Sequence, residues 1–203
     1  MALIMAISGF TQTTVTVGQG TSSSTYIPTY SWYSYSFTEA IYPMDSVGQS
    51  GMIDTLRYYC TSNATTRNLT VYMMETPTTS FSSTSDYLPI SGFTQVFTGS
   101  VTFTSSGATS IPLSTSFPYS HTGNLVIAVY DYTANYSTAM SFSATTLSNS
   151  CVYFYQDPAF TPSNPTAASS HSVVSALPTV QLSMSTIPAN YCYQPSNLVY
   201  SNL

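Results

Sequence analysis

The 203-residue chain has two basic and seven acidic side chains, so charged residues make up 4% of it, against about 25% in an ordinary soluble domain. Two arginines, Arg57 and Arg67, cannot build the basic stripe that neutralises nucleic-acid phosphates, and no apolar run approaches the roughly 20 residues that a membrane-spanning helix needs. With 18 Tyr and 10 Phe the chain is too aromatic for a disordered polymer, which leaves an ordered β protein whose surface is covered by neutral hydroxyls and amides.

The chain opens on Met-Ala-Leu-Ile-Met-Ala-Ile, an apolar stretch with no positive flank and too short for a secretory signal. Residues 1–12 are therefore expected to form an arm, with Met1, Leu3, Ile4 and Ile7 gripping a neighbouring subunit. A period of two then sets in over Thr13 to Val17 and ends at the turn Gly18-Gln19-Gly20. Thr25 to Tyr42 holds seven aromatic rings and one charge. Tyr26, Pro28, Tyr30 and Trp32 share one parity, whereas Tyr33, Tyr35 and Phe37 share the other. That switch predicts a β-bulge or bend at Trp32-Tyr33. Either the rings pack across two sheets, or part of them forms a platform suited to the apolar faces of sugars.

One helical turn is expected near Pro43 to Val47 and another near Ser80 to Tyr87. Leu56, Tyr58 and Cys60 point inward and Arg57 outward. Leu69, Val71 and Met73 share a face, as do Phe97, Val101 and Phe103, opposite Thr98, Ser100, Thr102 and Thr104. Arg67, a lone cation in a neutral field, is expected to stitch a loop through carbonyls or to pair with an acid. Leu125 to Tyr130 is a continuous apolar run and predicts a central strand covered on both faces. Met140 to Phe142 and Val180 to Met184 return to alternation, separated by a long Pro-rich loop over Pro158 to Pro165. Many short strands with turn signals between them predict an all-β, jelly-roll-like antiparallel sandwich over residues 13–184, followed by a C-terminal extension over residues 185–203 that carries Tyr191 and Tyr193.

Conventional catalytic chemistry is not legible. His121 sits in a turn and His171 between serines, without a nucleophile motif. Glu39 and Glu75 are expected at strand ends rather than as a paired acid and base. Cys60, Cys151 and Cys192 form an odd set without metal or redox spacing. They read as three buried thiols, or as one disulfide and a free thiol. No catalytic residue, metal or cofactor is expected.

Three stretches carry a resemblance: "TVTVGQGTSSSTYIPTYSWYSYSFTEAIYPMDSVGQSGMIDTLRYY", "TTRNLTVYMMETPTTSFSSTSDYLP" and "VFTGSVTFTSSGATSIPLSTSFPYSHTGNLVIAVYDYT". In order and spacing, over Thr13 to Met184, they are similar to a β-sandwich domain of surface and secreted proteins of gut Bacteroidales. That domain is related in character to the jelly-roll adhesin domains of gingipain-type haemagglutinins. The resemblance implies a non-enzymatic adhesion module. Some relatives of that broader group bind calcium, for which Asp131 and Asp157 would be the candidates here, although seven acids spread over the chain make a poor cage. A copy without a signal peptide and with terminal arms looks like a phage virion component, a decoration or fibre subunit at the virion surface. Its expected partners are other virion subunits, further copies of itself and host or mucosal glycans, with no nucleic acid and no membrane insertion. The alternatives are a bacterial cell-surface adhesin or filament subunit, and a free-standing carbohydrate-binding module. Candidate ligand-binding residues are Tyr26, Tyr30, Trp32 and Tyr33, then Asp131, Tyr132 and Tyr136 in the following loop, because recognition residues on a β scaffold concentrate in loops.

Overall fold

A computed structural model describes residues 12–187. In chain order the strands are β1 (Thr13–Val17), β2 (Ser22–Ser24), β3 (Tyr35–Tyr42), β4 (Gly51–Ser62), β5 (Thr66–Thr76), β6 (Thr94–Thr102), β7 (Gly107–Tyr119), β8 (Asn124–Asp131), β9 (Ser141–Thr145), β10 (Cys151–Gln156), β11 (Ser170–Val174), β12 (Leu177–Pro178) and β13 (Val180–Ser185). A single helical turn, α1 (Met44–Val47), follows β3, and short 3-10 turns lie at Thr84–Asp86, Ile90–Gly92 and Pro165–Ala167. The expected arm residues Met1, Leu3, Ile4, Ile7, Tyr191 and Tyr193, and also Cys192, lie outside the described residues.

The strands form two antiparallel sheets. The first runs β1-β13-β4-β9-β12, with β7 also paired to β4 and β2 to β9. The second runs β11-β10-β3-β8-β5-β6. Alternation drives the inner faces together. Leu56, Tyr58 and Cys60 of β4, Leu69, Val71 and Met73 of β5, Leu182 and Met184 of β13, and Leu125, Ile127 and Val129 of β8 all enter one core. β6 and β7 lie against each other along one side, so the sheets meet there. Among the described residues β7 pairs only with β4, which is where its Pro112 and Pro118 can lie without breaking a central ladder.

The second sheet is buried on both faces. Phe37, Ile41, Val126, Ala128, Val152 and Phe154 form a second apolar layer on its outer side. It is roofed by Phe81, Leu88, Ile90 and Phe93 from residues 77–93 and by Phe160 and Ala168 from residues 157–169. This explains the unbroken apolar run of β8, which lies between β3 and β5 with both faces covered. It also overturns the expectation for Glu39. Sharing the parity of Phe37 and Ile41, Glu39 lies in mid-β3, fully buried beneath the roof. Its Oε2 accepts the Leu88 N–H at 2.8 Å, and its Oε1 has no partner among the described residues. Burial pushes its carboxyl up to about 8. Glu75 does sit near its strand's end, where it accepts from Ser120 and Thr122.

Candidate functional site

Residues 25–34, expected as a strand with a β-bulge or bend at Trp32-Tyr33, form an irregular connection leading into β3, with the bend rather than the bulge at that place. The Ile27–Pro28 peptide is cis. The chain reverses at Tyr30–Tyr33, where the Tyr33 N–H donates to Tyr30 O at 3.2 Å. Small polar residues anchor the segment from within: Thr29 and Ser31 are buried, and Ser31 Oγ donates to Thr138 O while accepting the Met140 N–H. The segment therefore does not sort its rings onto two faces of a strand. The reversal brings Tyr30 and Tyr33 together, with ring centroids 5.4 Å apart.

Two tyrosines from β10 complete the cluster. Tyr26 stacks on Tyr153 at 4.7 Å and 13° and lies 4.7 Å from Tyr30. Tyr155 meets Tyr30 edge-on at 4.9 Å and Tyr33 at 4.4 Å. Tyr153 and Tyr155 stack on each other at 5.7 Å. Five phenols thus form one continuous wall in which Tyr26, Tyr30, Tyr33 and Tyr155 are each half-buried. Mutual packing fixes their rotamers, so the exposed edges can meet a ligand at small further entropic cost. Burial, then the neighbouring phenols Tyr26, Tyr155 and Tyr33, push the Tyr30 hydroxyl up to about 12. Burial likewise raises Tyr153. Both therefore remain neutral hydroxyls at physiological pH.

Trp32, at the tip of the reversal, points outward and is 55% exposed. Tyr136 is 68% exposed on the neighbouring loop. Its successor Ser137 donates its N–H to Ser31 O at 2.8 Å, which docks that loop beside Trp32. Tyr132 belongs elsewhere: it stacks on Tyr130 and approaches Thr98 Oγ1 through its hydroxyl.

Asp131, grouped with the same loop by its position in the sequence, is wholly buried at the end of β8 and is not a surface group. Arg67 Nε contacts its Oδ2 at 2.6 Å, Thr29 Oγ1 donates to the same oxygen at 2.6 Å, and the Thr133 N–H and hydroxyl occupy Oδ1. Arg67, itself 1% exposed, donates from Nη1 to Asn135 O and from Nη2 to Tyr33 O. The pair is a latch that ties the Trp32 loop to the Tyr136 loop, combining both roles expected of Arg67. Asp157 accepts the Ser34 N–H and hydroxyl and pins the end of the same segment.

Among the described residues no three His, Cys, Asp or Glu side chains gather where they could hold a metal ion, and no helix is long and apolar enough to cross a membrane. His121 Nε2 lies against Met44 O, and His171 is exposed on β11. Cys60 and Cys151 are buried free thiols, and burial pushes Cys151 up to about 12. Tyr153 and Tyr155 are the site residues that the sequence reading missed. The Tyr-x-Tyr alternation in Val152-Tyr153-Phe154-Tyr155 was the available signal. No protein-family model, curated protein or solved structure matches the chain.

Proposed function

We propose that this chain is a non-enzymatic adhesion protein that recognises glycans through the tyrosine wall and the exposed Trp32 and Tyr136 beside it. The observation that carries this reading is the wall itself: five mutually fixed phenols, of which Tyr26, Tyr30, Tyr33 and Tyr155 reach solvent while Tyr153 backs them from within, next to a tryptophan that the fold leaves more than half exposed. Such a surface offers flat apolar faces and neutral hydroxyls, the two things an uncharged sugar ring can use. The jelly-roll-like adhesin resemblance and the scarcity of charge support its display in a multi-subunit assembly. We place it on a phage virion as a decoration or fibre subunit, with a bacterial surface adhesin or filament subunit as the alternative setting.

A glycan array tests the recognition. Binding by the wild type that is lost in Trp32→Ala and reduced in Tyr136→Ala is the expected result; no binding by the wild type overturns it. Mass spectrometry of purified phage particles and of outer-membrane fractions from the source culture separates the two settings.

A further inference from the structure

A second concave surface lies on the outer face of the first sheet, over which no apolar layer packs among the described residues. Tyr59 and Thr61 project outward from β4, because Tyr58 and Cys60 take the inward positions. Thr16 of β1, Ser143 of β9 and Thr179 between β12 and β13 complete the floor and sides, with the turn Gly18-Gln19-Gly20 as one wall. The groove is an open depression of about 600 Å³, within the size range of small-ligand sites.

The wall is fixed before any ligand arrives. The N–H groups of Gln19 and Gly20 both donate to Thr145 Oγ1, at 2.7 and 3.2 Å. Gly20 takes φ +63°, which glycine adopts without strain, and a Cβ there would meet the Ser143 hydroxyl and force it to turn away. Thr179 donates its N–H to Ser143 O, and Ser143 Oγ donates to Thr179 Oγ1 at 3.4 Å.

None of the lining residues is charged. The groove therefore has nothing to offset the desolvation of an ionic ligand. Besides the buried Cys60, its inventory is one phenol ring, five aliphatic hydroxyls, one carboxamide and glycine backbone. We infer that the groove is a second saccharide site, taking a neutral mono- or disaccharide with a C–H face on Tyr59 and hydroxyls on Thr16, Thr61 and Ser143. This site is independent of the tyrosine wall, which draws on β10 and residues 25–34.

Saturation-transfer NMR with methyl glycosides of glucose, galactose, mannose, fucose and N-acetylglucosamine, and their common disaccharides, tests it. The variants are Tyr59→Ala, which removes the ring, Thr61→Trp, which fills the groove from an exposed position, and Trp32→Ala with Tyr136→Ala, which strips the other surface. At least one glycoside should receive saturation from the wild type and from the Trp32/Tyr136 double variant. That transfer should weaken by about tenfold or more in apparent affinity in Tyr59→Ala and Thr61→Trp, with sialic acid giving none. Transfer that survives both groove variants but vanishes in the double variant overturns the groove site and leaves the tyrosine wall standing. No transfer from the wild type to any probe overturns it as well. Thr61→Trp keeps the test decisive if Tyr59→Ala fails to fold.

Discussion

Replacing Glu39 with glutamine should stabilise the fold, by an amount that grows with pH. Glu39 is buried between the second sheet and its roof, and among the described residues it is bonded only to the Leu88 N–H, with no cation beside it. Its carboxyl is raised from 4.5 to about 8 in the folded chain. The folded state therefore keeps a proton that the unfolded chain releases above its ordinary range. Stability from this group is fully present below about pH 4.5, falls as pH rises, and levels off above about pH 8. At 1.36 kcal/mol per pH unit the loss is about 3 kcal/mol at pH 7 and about 5 kcal/mol above pH 8. A glutamine side chain reproduces the neutral carboxyl: its oxygen can still accept the Leu88 N–H, and nothing ionises. Urea unfolding of both proteins, followed by circular dichroism between about pH 5 and pH 8, gives the difference directly, and effects of other groups cancel in it. The Glu39→Gln advantage should widen by about 1 kcal/mol per pH unit. Parallel stability curves would refute the reasoning and show that water or a roof movement solvates the carboxylate.

Three further outcomes are expected. Arg67→Ala leaves Asp131 buried without its cation and should cost about 3–5 kcal/mol. Hydrogen exchange should then quicken first in the loops on either side of the latch, at residues 25–34 and 132–137. Phe154→Ala opens a cavity in the second apolar layer and should cost about 3–5 kcal/mol, whereas Trp32→Ala, at an exposed tip, should change the urea midpoint little; equal losses would contradict the burial pattern. Sodium chloride should barely alter stability, by less than about 0.5 kcal/mol up to half molar, because the Arg67–Asp131 pair is buried and Arg57 bonds neutral Ser110 and Gln181.

Period-two alternation made much of the sandwich legible. It placed Leu56, Tyr58 and Cys60 correctly, and the Leu125–Tyr130 run correctly implied two covered faces. Arg67 was readable because a single cation in a neutral chain has few ways to be satisfied. Glu39 was not readable. Its burial depends on a roof supplied by residues 77–93 and 157–169, whose docking leaves no periodic trace in β3. The tyrosine cluster was half readable. Tyr26, Tyr30, Trp32 and Tyr33 stood out by density, and the parity switch marked a bulge or bend at Trp32-Tyr33, but parity could not show that the flanking residues leave the strand for a reversal held by a Tyr33–Tyr30 backbone bond. Nor could it bring in Tyr153 and Tyr155 from a distant strand. Asp131 looked like a loop residue because the buried latch is visible only once β5 and β8 lie side by side.

The roof over the second sheet bears on how this protein can change over generations. In many β-sandwiches the long connections are the places where sequence drifts and new specificities arise. Here two of the longest connections are committed to burying Phe81, Leu88, Phe93 and Phe160, and one of them holds a carboxyl group out of water. Variation there would be purged as loss of stability. Among the described residues, the outer face of the first sheet and the Trp32 and Tyr136 loop tips carry no such burden. Substitutions should accumulate on those two regions while the roof stays nearly constant.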